Sequence, residues 1–582
     1  MAQPVIFESR QFFRPGGFSK FKLRPQGNVP VDTSTMVLIG KSDGGIPYNA
    51  SEVAEQDRPM LFTNINDARD ILRKGPLLDA CEIAFAPSSD PNISGASRVV
   101  CVRVQPATKS QLLLKSNSID TTLLKSSDYG SHTNNIAIQA VPKTHPQFPS
   151  VTGVVITIFK DSQAEESEPL YAPQMELFYP SGGPAASMSV SYVSATDVFR
   201  INDGMTNIVD VNLSDFQTID ELADHIRSKN SLIEITVIDG GAKPNLMDDI
   251  APTNFKNSAF ITTATYMKQL DWLNRVSPLT DAIQIPATLR VSIDPIAKTY
   301  LSGGSTSTPT NSDYIGAIAL AEKVQAFYQI ELSGDPDLAQ INKRSVYASC
   351  DVKNRRERIG GSGALATDTY KDRQQNAKNL NSMFYLYGAS PVKFTNSQGQ
   401  TVTLDPIYLP VFAAAINAGN GPTTPATFKA LNCLGNPEKY TSDEIDEFIK
   451  AGCLIVDTNE LTGAPQITRS VTTYQGTNLI ASEMSMVTTA LALVKDFRIQ
   501  MENLFVSATG TRGITAIMRA SALKLLESYV TKGWLTDIDG EAYSNLELVI
   551  EGDRVFIKKD ATLTAPINFI FDLFNLGSPG LS

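Results

Sequence analysis

The chain has 582 residues, of which 42% are hydrophobic and 19% charged, a balance that suits a globular protein with several cores rather than a disordered or fibrous one. No run reaches the roughly eighteen apolar residues needed to span a membrane. Met1 to Gly17 carries Pro4, Glu8 and Pro15 where a signal peptide would be apolar, so the protein is expected to be made and kept inside a cell, without membrane insertion.

A net charge of -11 argues against direct binding of nucleic acid, whose phosphates select basic surfaces. Cys81, Cys101, Cys350, Cys433 and Cys453 are odd in number and lack a CxxC spacing, which reads as reduced thiols rather than a disulfide framework or a structural zinc site. Charge is unevenly spread. Met1 to Asn28 sets Arg10, Arg14, Lys20, Lys22 and Arg24 against the single acid Glu8, ahead of an acidic body. Such an arm suits contact with the body of another copy, a solvated tail being the plainer alternative.

The leader offers a short strand, Val5-Ile6-Phe7, then Phe12, Phe13, Phe18 and Phe21 among Pro15, Gly16, Gly17 and Pro25. These are aromatic anchors with too little bulk for a core. Thr35 to Lys41 reads as the first buried strand, followed by the loop Ser42-Asp43-Gly44-Gly45. Asn66 to Arg73 is predicted helical with Ala68, Ile71 and Leu72 inward. Val99 to Val104 is a near-continuous apolar strand, the kind covered on both faces in an α/β sheet. From 107 to 239 the texture is β, with strands at Gln111 to Leu114, Asn135 to Val141, Gly153 to Lys160 and Ser187 to Val193, and an acidic loop over Asp161 to Pro169. Within it, Thr218-Ile219-Asp220-Glu221 is a capping box opening a helix to Ser228, and Leu232 to Ile238 follows as a strand.

Ala287 to Ile293 is predicted as a strand and Gly303 to Pro309 as a flexible loop. Helices and strands then alternate as in an open sheet with helices on its faces. Helices are predicted over Tyr314 to Phe327, Thr367 to Leu380, Ile407 to Ala418 and Thr441 to Lys450, and strands over Ser345 to Cys350 and Cys453 to Val456. A long helix spans Ile480 to Val506, with a stripe of Met484, Val487, Leu491, Val494, Met501 and Phe505 broken at Arg498. After Gly510 to Gly513, a second helix, Ile514 to Lys532, buries Ile514, Met518, Ala522, Leu525 and Tyr529 and ends at Gly533. Arg519 and Lys524 lie off that stripe.

The end of the chain is unusually apolar. Leu546 to Glu551 and Arg554 to Lys559 flank Gly552-Asp553, a hairpin signal because glycine opens such a turn at positive φ. Beyond Pro566, the residues Ile567, Phe569, Phe571 and Leu573 alternate with Asn568, Ile570, Asp572 and Phe574 at the period of a strand. Termini are normally polar and frayed, so this one needs a sheet to dock on, in its own subunit or a neighbour's.

Signals for catalysis are thin. Gly361 to Ala366 matches a GxGxxA dinucleotide loop, yet the Lys353 to Arg358 run before it is charged and no acid follows at the required spacing. A flexible glycine-rich loop is the other reading. His132, His145 and His225 lack ligand spacing. Arg355, Arg356 and Arg358 could grip a phosphate, or form a solvated face or an intersubunit ion-pair site. No catalytic, cofactor or metal site is assigned, and an enzyme is not expected.

In their order along the chain, these features resemble the tail sheath proteins of contractile phage tails and related injection machines. The carrying residues are Tyr129-Gly130 with Asn134-Asn135-Ile136, the helix Thr218 to Ile226, Ser312-Asp313-Tyr314, and Arg356-Glu357-Arg358. They continue with Tyr408 to Asn417 before Pro422 and Pro425, Glu444 to Leu454, and two helices and a hairpin from Ile480 to Lys559. The resemblance is firmest after Ala287 and poor from Val141 to Asp215, as expected of an outward-facing variable part.

The resemblance implies an α/β and α+β multidomain chain. An extended arm (1–28) precedes a discontinuous α/β sheath core (29–106 and 240–460) with an inserted β-rich outer domain (107–239). An inner domain of two helices and a hairpin (461–565) and a terminal arm strand (566–582) complete it. In similar sheaths the arms add strands beside a neighbour's hairpin. Here Val5, Ile6, Phe7, Ile567, Phe569, Phe571 and Leu573 would be donated, and Leu546, Leu548, Ile550, Val555 and Ile557 would accept. Head-to-tail donation gives an open helical polymer.

The implied partners are further copies of the chain, the tail tube protein, and the baseplate and tail terminator proteins, in a virion tail assembled in the host cytoplasm. Arg519 and Lys524 would face the tube, with two solvated charges on a core helix as the alternative. Contraction from an extended, higher-energy lattice to a shorter, wider one would drive the tube through the host envelope for genome delivery, with no nucleotide hydrolysed. Within this class the alternative is the sheath of a phage-tail-like bacteriocin or contractile injection system. Outside it, the alternative is a soluble α/β nucleotide- or sugar-handling enzyme, resting on Gly361 to Ala366 alone.

Overall fold

Six strands form the largest sheet, in the order Tyr385–Gly388, Ile359–Gly363, Tyr328–Glu331, Thr35–Gly40, Arg98–Arg103 and Met60–Phe62. All neighbours run parallel except the last pair. The computed structural model describes residues 5–7, 10–12 and 32–570, apart from 162, 287, 288, 397, 509–512 and 539. Two units are distinguished, Ser34–Thr488 with Ala565–Ser582, and Met1–Thr33 with Thr489–Thr564.

In the larger unit, Val37, Ile39, Val100 and Val102 on one face of the sheet pack against Tyr314, Ala317, Ile318 and Ala321 of the helix Asn311–Lys323. The other face is covered by helices Pro76–Phe85 and Leu409–Asn420. Burial on both sides is why these strands read as apolar runs rather than alternations. Helix Pro76–Phe85 escaped the sequence reading because Leu77, Leu78, Ala80, Cys81, Ile83 and Ala84 are all buried, leaving no polar face to set a period. In the preceding helix, Ile65–Leu72, Ala68 and Leu72 are inward as expected but Ile71 is exposed.

Two strand expectations fail. Ser345 to Cys350 lies at the end of a helix, Pro336–Ser349, started by Asp335, whose carboxylate accepts from Asp337 N at 2.8 Å and Leu338 N at 3.3 Å. Its buried face is partly polar, through Asn342, Ser345 and Ser349, so the last turns imitate a two-residue alternation. Residues 289–293 carry no strand; strands Thr280–Gln284 and Ile296–Tyr300 lie on either side. Conversely, the expected acidic loop contains an edge strand, Gln163–Glu166, paired antiparallel with Thr152–Lys160. Its charges suit an edge.

The β-rich part continues past the expected boundary at 239. Ile250–Asn254 pairs with Ser189–Val193, Phe260–Thr263 with Pro173–Phe178, Thr280–Gln284 with Ile119–Ser126, and Ile296–Tyr300 with Ile136–Thr144. Ser305–Thr306, inside the expected flexible loop, pairs with Ala107–Thr108. These are non-local pairings, invisible to local composition. Thr218 caps helix Ile219–Lys229 by accepting from Glu221 N, while the Glu221 carboxylate accepts from Gln217 N at 2.7 Å.

The smaller unit holds helix Ile514–Thr531, most of helix Met484–Phe505, and the hairpin Tyr543–Glu551 with Arg554–Ala561. It begins at Thr489 rather than 461. Pro465–Ile467 belongs to the larger unit, paired with Val456–Thr458. The helix expected from Ile480 is interrupted at Glu483, whose backbone is extended (φ -94°, ψ 121°) between Leu479–Ser482 and Met484–Phe505. Leu491, Ala492, Phe497, Met501, Met518, Ala522, Leu525, Leu526 and Tyr529 are buried, whereas Val494 is exposed and Phe505 and Ile514 are half-buried. Val5–Phe7 is a strand, antiparallel to Arg10–Phe12 with Val5 opposite Phe12.

Candidate assembly site

The expected hairpin is present and its turn is the expected one. Gly552 has φ 64°, a conformation open to glycine at little cost. Ile550 stands opposite Val555, Val549 opposite Phe556 and Leu548 opposite Ile557, with an irregularity between Ser544 and Glu547. The strands form a sheet of two, so among the described residues neither outer edge pairs with another strand.

The two faces differ. Leu546 is buried and Leu548 and Ile557 are half-buried on the side that packs on helix Ile514–Thr531. On that side Lys559 places its ammonium 3.4 Å from the Phe497 ring centre, and burial lowers its pKa. On the opposite side Val549 is 49% and Phe556 51% exposed. Ile550 and Val555, near the turn, are exposed as well. An apolar ribbon with two open edges is a template for further strands.

Of the expected donors, Ile567 and Phe569 lie in a stretch, 565–570, that carries no strand, and they are 87% and 65% exposed. Phe571 and Leu573 lie outside the described residues. Between Ile567 and Phe569, Asn568 Nδ2 donates to Glu483 Oε1 at 3.0 Å. The Phe569 ring centre lies 5.4 Å from the Arg469 guanidinium. Arg469 in turn donates to Glu483 Oε1 through Nε at 2.7 Å and Nη2 at 2.5 Å. Burial pushes the Glu483 carboxyl up, opposed by Arg469. Sequence reading missed this group; its one signal is an acid at the head of a long apolar helix. Arg519 and Lys524 are exposed on helix Ile514–Thr531, off the stripe of the buried Met518, Ala522 and Leu525.

The features set aside as chemistry have other uses. Gly361 and Gly363 lie in the buried strand Ile359–Gly363, so this stretch is neither a cofactor loop nor a flexible one. A Cβ at Gly361 would stand 2.7 Å from Pro410 Cβ, and one at Gly363 2.7 Å from Ile407 Cα. The glycines let a helix approach the sheet. Arg358 is fully buried and donates to the carbonyls of Ala321, Glu322 and Val324 and to Gln329 Oε1, at 3.2, 3.3, 2.7 and 2.6 Å. Arg356 donates to Glu322 O at 2.8 Å. Both close the carboxyl end of helix Asn311–Lys323, where cations are favoured; neither grips a phosphate. His132 pairs with Asp128 at 2.9 Å.

The carboxyl end of a parallel sheet is where α/β proteins bind ligands. Here a Cβ on Gly40 would meet Leu332 at 3.0 Å and Leu77 at 3.6 Å, so apolar side chains occupy that place. Glu331 is buried beside them, accepting from Ser362 Oγ at 2.9 Å and from Ser333 N. Burial pushes its carboxyl up to about 7. The group closes on itself. Cys81, Cys101, Cys350, Cys433 and Cys453 are all free thiols.

No family model matches the chain. It is 22% identical over 592 aligned residues to the tail sheath protein of Bacillus phage SP01, covering 97% of this chain and 96% of that one. To the tail sheath protein of Staphylococcus phage Twort it is 24% identical, covering 92% and 94%. The sheath tail protein of Desulfitobacterium hafniense shares the fold with a TM-score of 0.54 at 9% identity, over 94% of this chain and all of that one. Along almost its whole length in sequence, and in the fold of its described residues, the chain resembles the tail sheath proteins.

Proposed function

We infer that the chain is the subunit of a contractile tail sheath, a structural protein that polymerises helically and contracts. The observation that carries this reading is the match, over more than nine-tenths of both chains, with phage tail sheath proteins. Both reported relatives are phage proteins, which favours a phage virion over a bacteriocin or injection system. The enzyme alternative loses its one support, since Gly361 to Ala366 begins as a buried strand.

The hairpin Tyr543–Ala561 is proposed as the acceptor, with Leu546, Leu548, Ile550, Val555 and Ile557 along its strands. The strand around Val5, Ile6 and Phe7 and the terminal run containing Ile567, Phe569, Phe571 and Leu573 are proposed as its donors from neighbouring copies. Each added backbone hydrogen bond nets about 1 kcal/mol, and each buried phenylalanine roughly 2 kcal/mol. A few per arm would keep subunits linked while they swing. Arg519 and Lys524, both exposed on helix Ile514–Thr531, are proposed to meet the tail tube. Baseplate and terminator proteins would close the ends, after assembly in the host cytoplasm.

Negative-stain microscopy of the intact chain, alone and with its tube protein, tests this reading beside a variant lacking Met1 to Gly17. Tubes from the intact chain and dispersed subunits from the truncated one are expected. Small discrete particles from the intact chain even with tube present would sink it.

A further inference from the structure

We propose that Asn568, Glu483 and Arg469 form an anchor, within one subunit, that fixes where the donated C-terminal arm begins. This rests on the sheath reading above. The run from Ile567 to Leu573 has the pattern of one strand, and within its described part, Ile567 to Ile570, Asn568 is tied by its side chain to Glu483.

Glu483 is a firm base for an anchor. Its side chain is wholly buried. Its backbone is held by a bridge to Val471, by its own N–H donating to Leu479 O at 3.1 Å, and by Met484 N donating to Ser470 O at 3.0 Å. Arg469 neutralises it with two short hydrogen bonds to the oxygen that also accepts from Asn568. An amide suits this third place, because it donates to the carboxylate without adding a charge. The Phe569 ring beside the Arg469 guanidinium adds a cation–π contact.

The pinned stretch is apolar toward solvent. Ile567, Phe569 and Ile570 are 87%, 65% and 88% exposed. Holding such a segment extended at one residue removes part of the ordering entropy that a second copy would otherwise have to overcome on capturing it. The anchor therefore presents Ile567, Phe569 and Ile570 at the root of the arm.

The test uses the full-length chain. Asn568→Asp places a second carboxylate beside Glu483. In dispersed subunits, chymotrypsin cleavage after Phe569, followed by the mass of the released peptide, is expected to quicken about tenfold, the scale of losing one hydrogen bond to a charged group. The critical concentration for tubes, measured by pelleting, should rise by a similar factor. The double variant Glu483→Gln with Asn568→Asp exchanges amide and carboxylate, keeps one charge for Arg469, and should restore both readouts. Unchanged cleavage in Asn568→Asp would refute the anchor. Faster cleavage with unchanged or easier assembly would refute its role in presenting the arm. Failure of the wild-type chain to form tubes even with its tube protein present would refute the sheath reading instead, and cleavage would still decide whether the anchor exists.

Discussion

The six-stranded sheet and the terminal hairpin treat apolar surface in opposite ways. In the sheet, every residue of Thr35–Gly40 is buried between helices, and the buried Arg358 donates to three carbonyls and Gln329. In the hairpin, Val549 and Phe556 face outward and both strand edges lack partners among the described residues. The first region is complete within one chain. The second has the surface of a sheet with strands still to come, and a chain destined to remain alone would pay for such a ribbon in aggregation.

That contrast can be broken by substitutions whose cost to the single subunit should decline from the sheet to the hairpin. The largest effect is expected at Gly388, where an added Cβ would stand 1.9 Å from Pro406 O. Gly388→Ala should cost about 3 kcal/mol or more through overpacking, read as a lowered denaturant midpoint or insoluble protein. An unshifted midpoint would show that the helix can retreat from the sheet.

Arg358→Met should come next. It leaves several carbonyls at the end of helix Asn311–Lys323 without their donor, for a cost of about 2 to 3 kcal/mol. Arg355→Ala, three residues earlier and exposed, should stay within about 0.5 kcal/mol. Equal losses from the two would remove the distinction between buried and exposed arginines in this stretch.

Glu331 gives the pH dependence. Its folded pKa of about 7 lies above the ordinary 4.5, so the folded chain keeps its proton longer than the unfolded one. The stability it contributes is full below about pH 4.5, falls as pH rises through that interval, and levels off above about 7. Glu331→Gln should therefore raise stability by about 3 kcal/mol at pH 8 and change little at pH 5. Asp248, buried and also pushed up to about 7, acts in the same direction, so the variant should lessen the slope without abolishing it. A variant with the wild-type slope would show that Glu331 is already ionised at neutral pH.

The smallest effect on the subunit is expected in the hairpin. Phe556→Lys should alter the unfolding midpoint by no more than about 0.5 kcal/mol while preventing tubes from forming at concentrations where the wild type assembles. Substantial destabilisation would mean that the ribbon serves its own fold first.

Local chemistry was well represented in the sequence. The capping residues Thr218 and Thr441 stand at helix starts, Gly533 follows a helix with φ 70°, and Gly552 turns the hairpin. The hairpin Tyr543–Ala561 was legible for the same reason, being a local pattern of apolar residues around a glycine turn. What misled was pattern without context. The Ser345 to Cys350 alternation belongs to a helix with polar residues inward, and the GxGxxA match belongs to a strand whose glycines admit a helix.

By itself, then, the order of residues determined the caps, turns, most helices and the terminal hairpin, because each depends on neighbours a few positions apart. Only the tertiary structure decided that strands from 250 to 306 complete sheets begun before 239, that Arg358 serves a helix end, and that Asn568 is tied to Glu483. Those depend on pairings between residues tens to hundreds of positions apart, where a hydrogen-bond partner or a packing neighbour leaves no local trace.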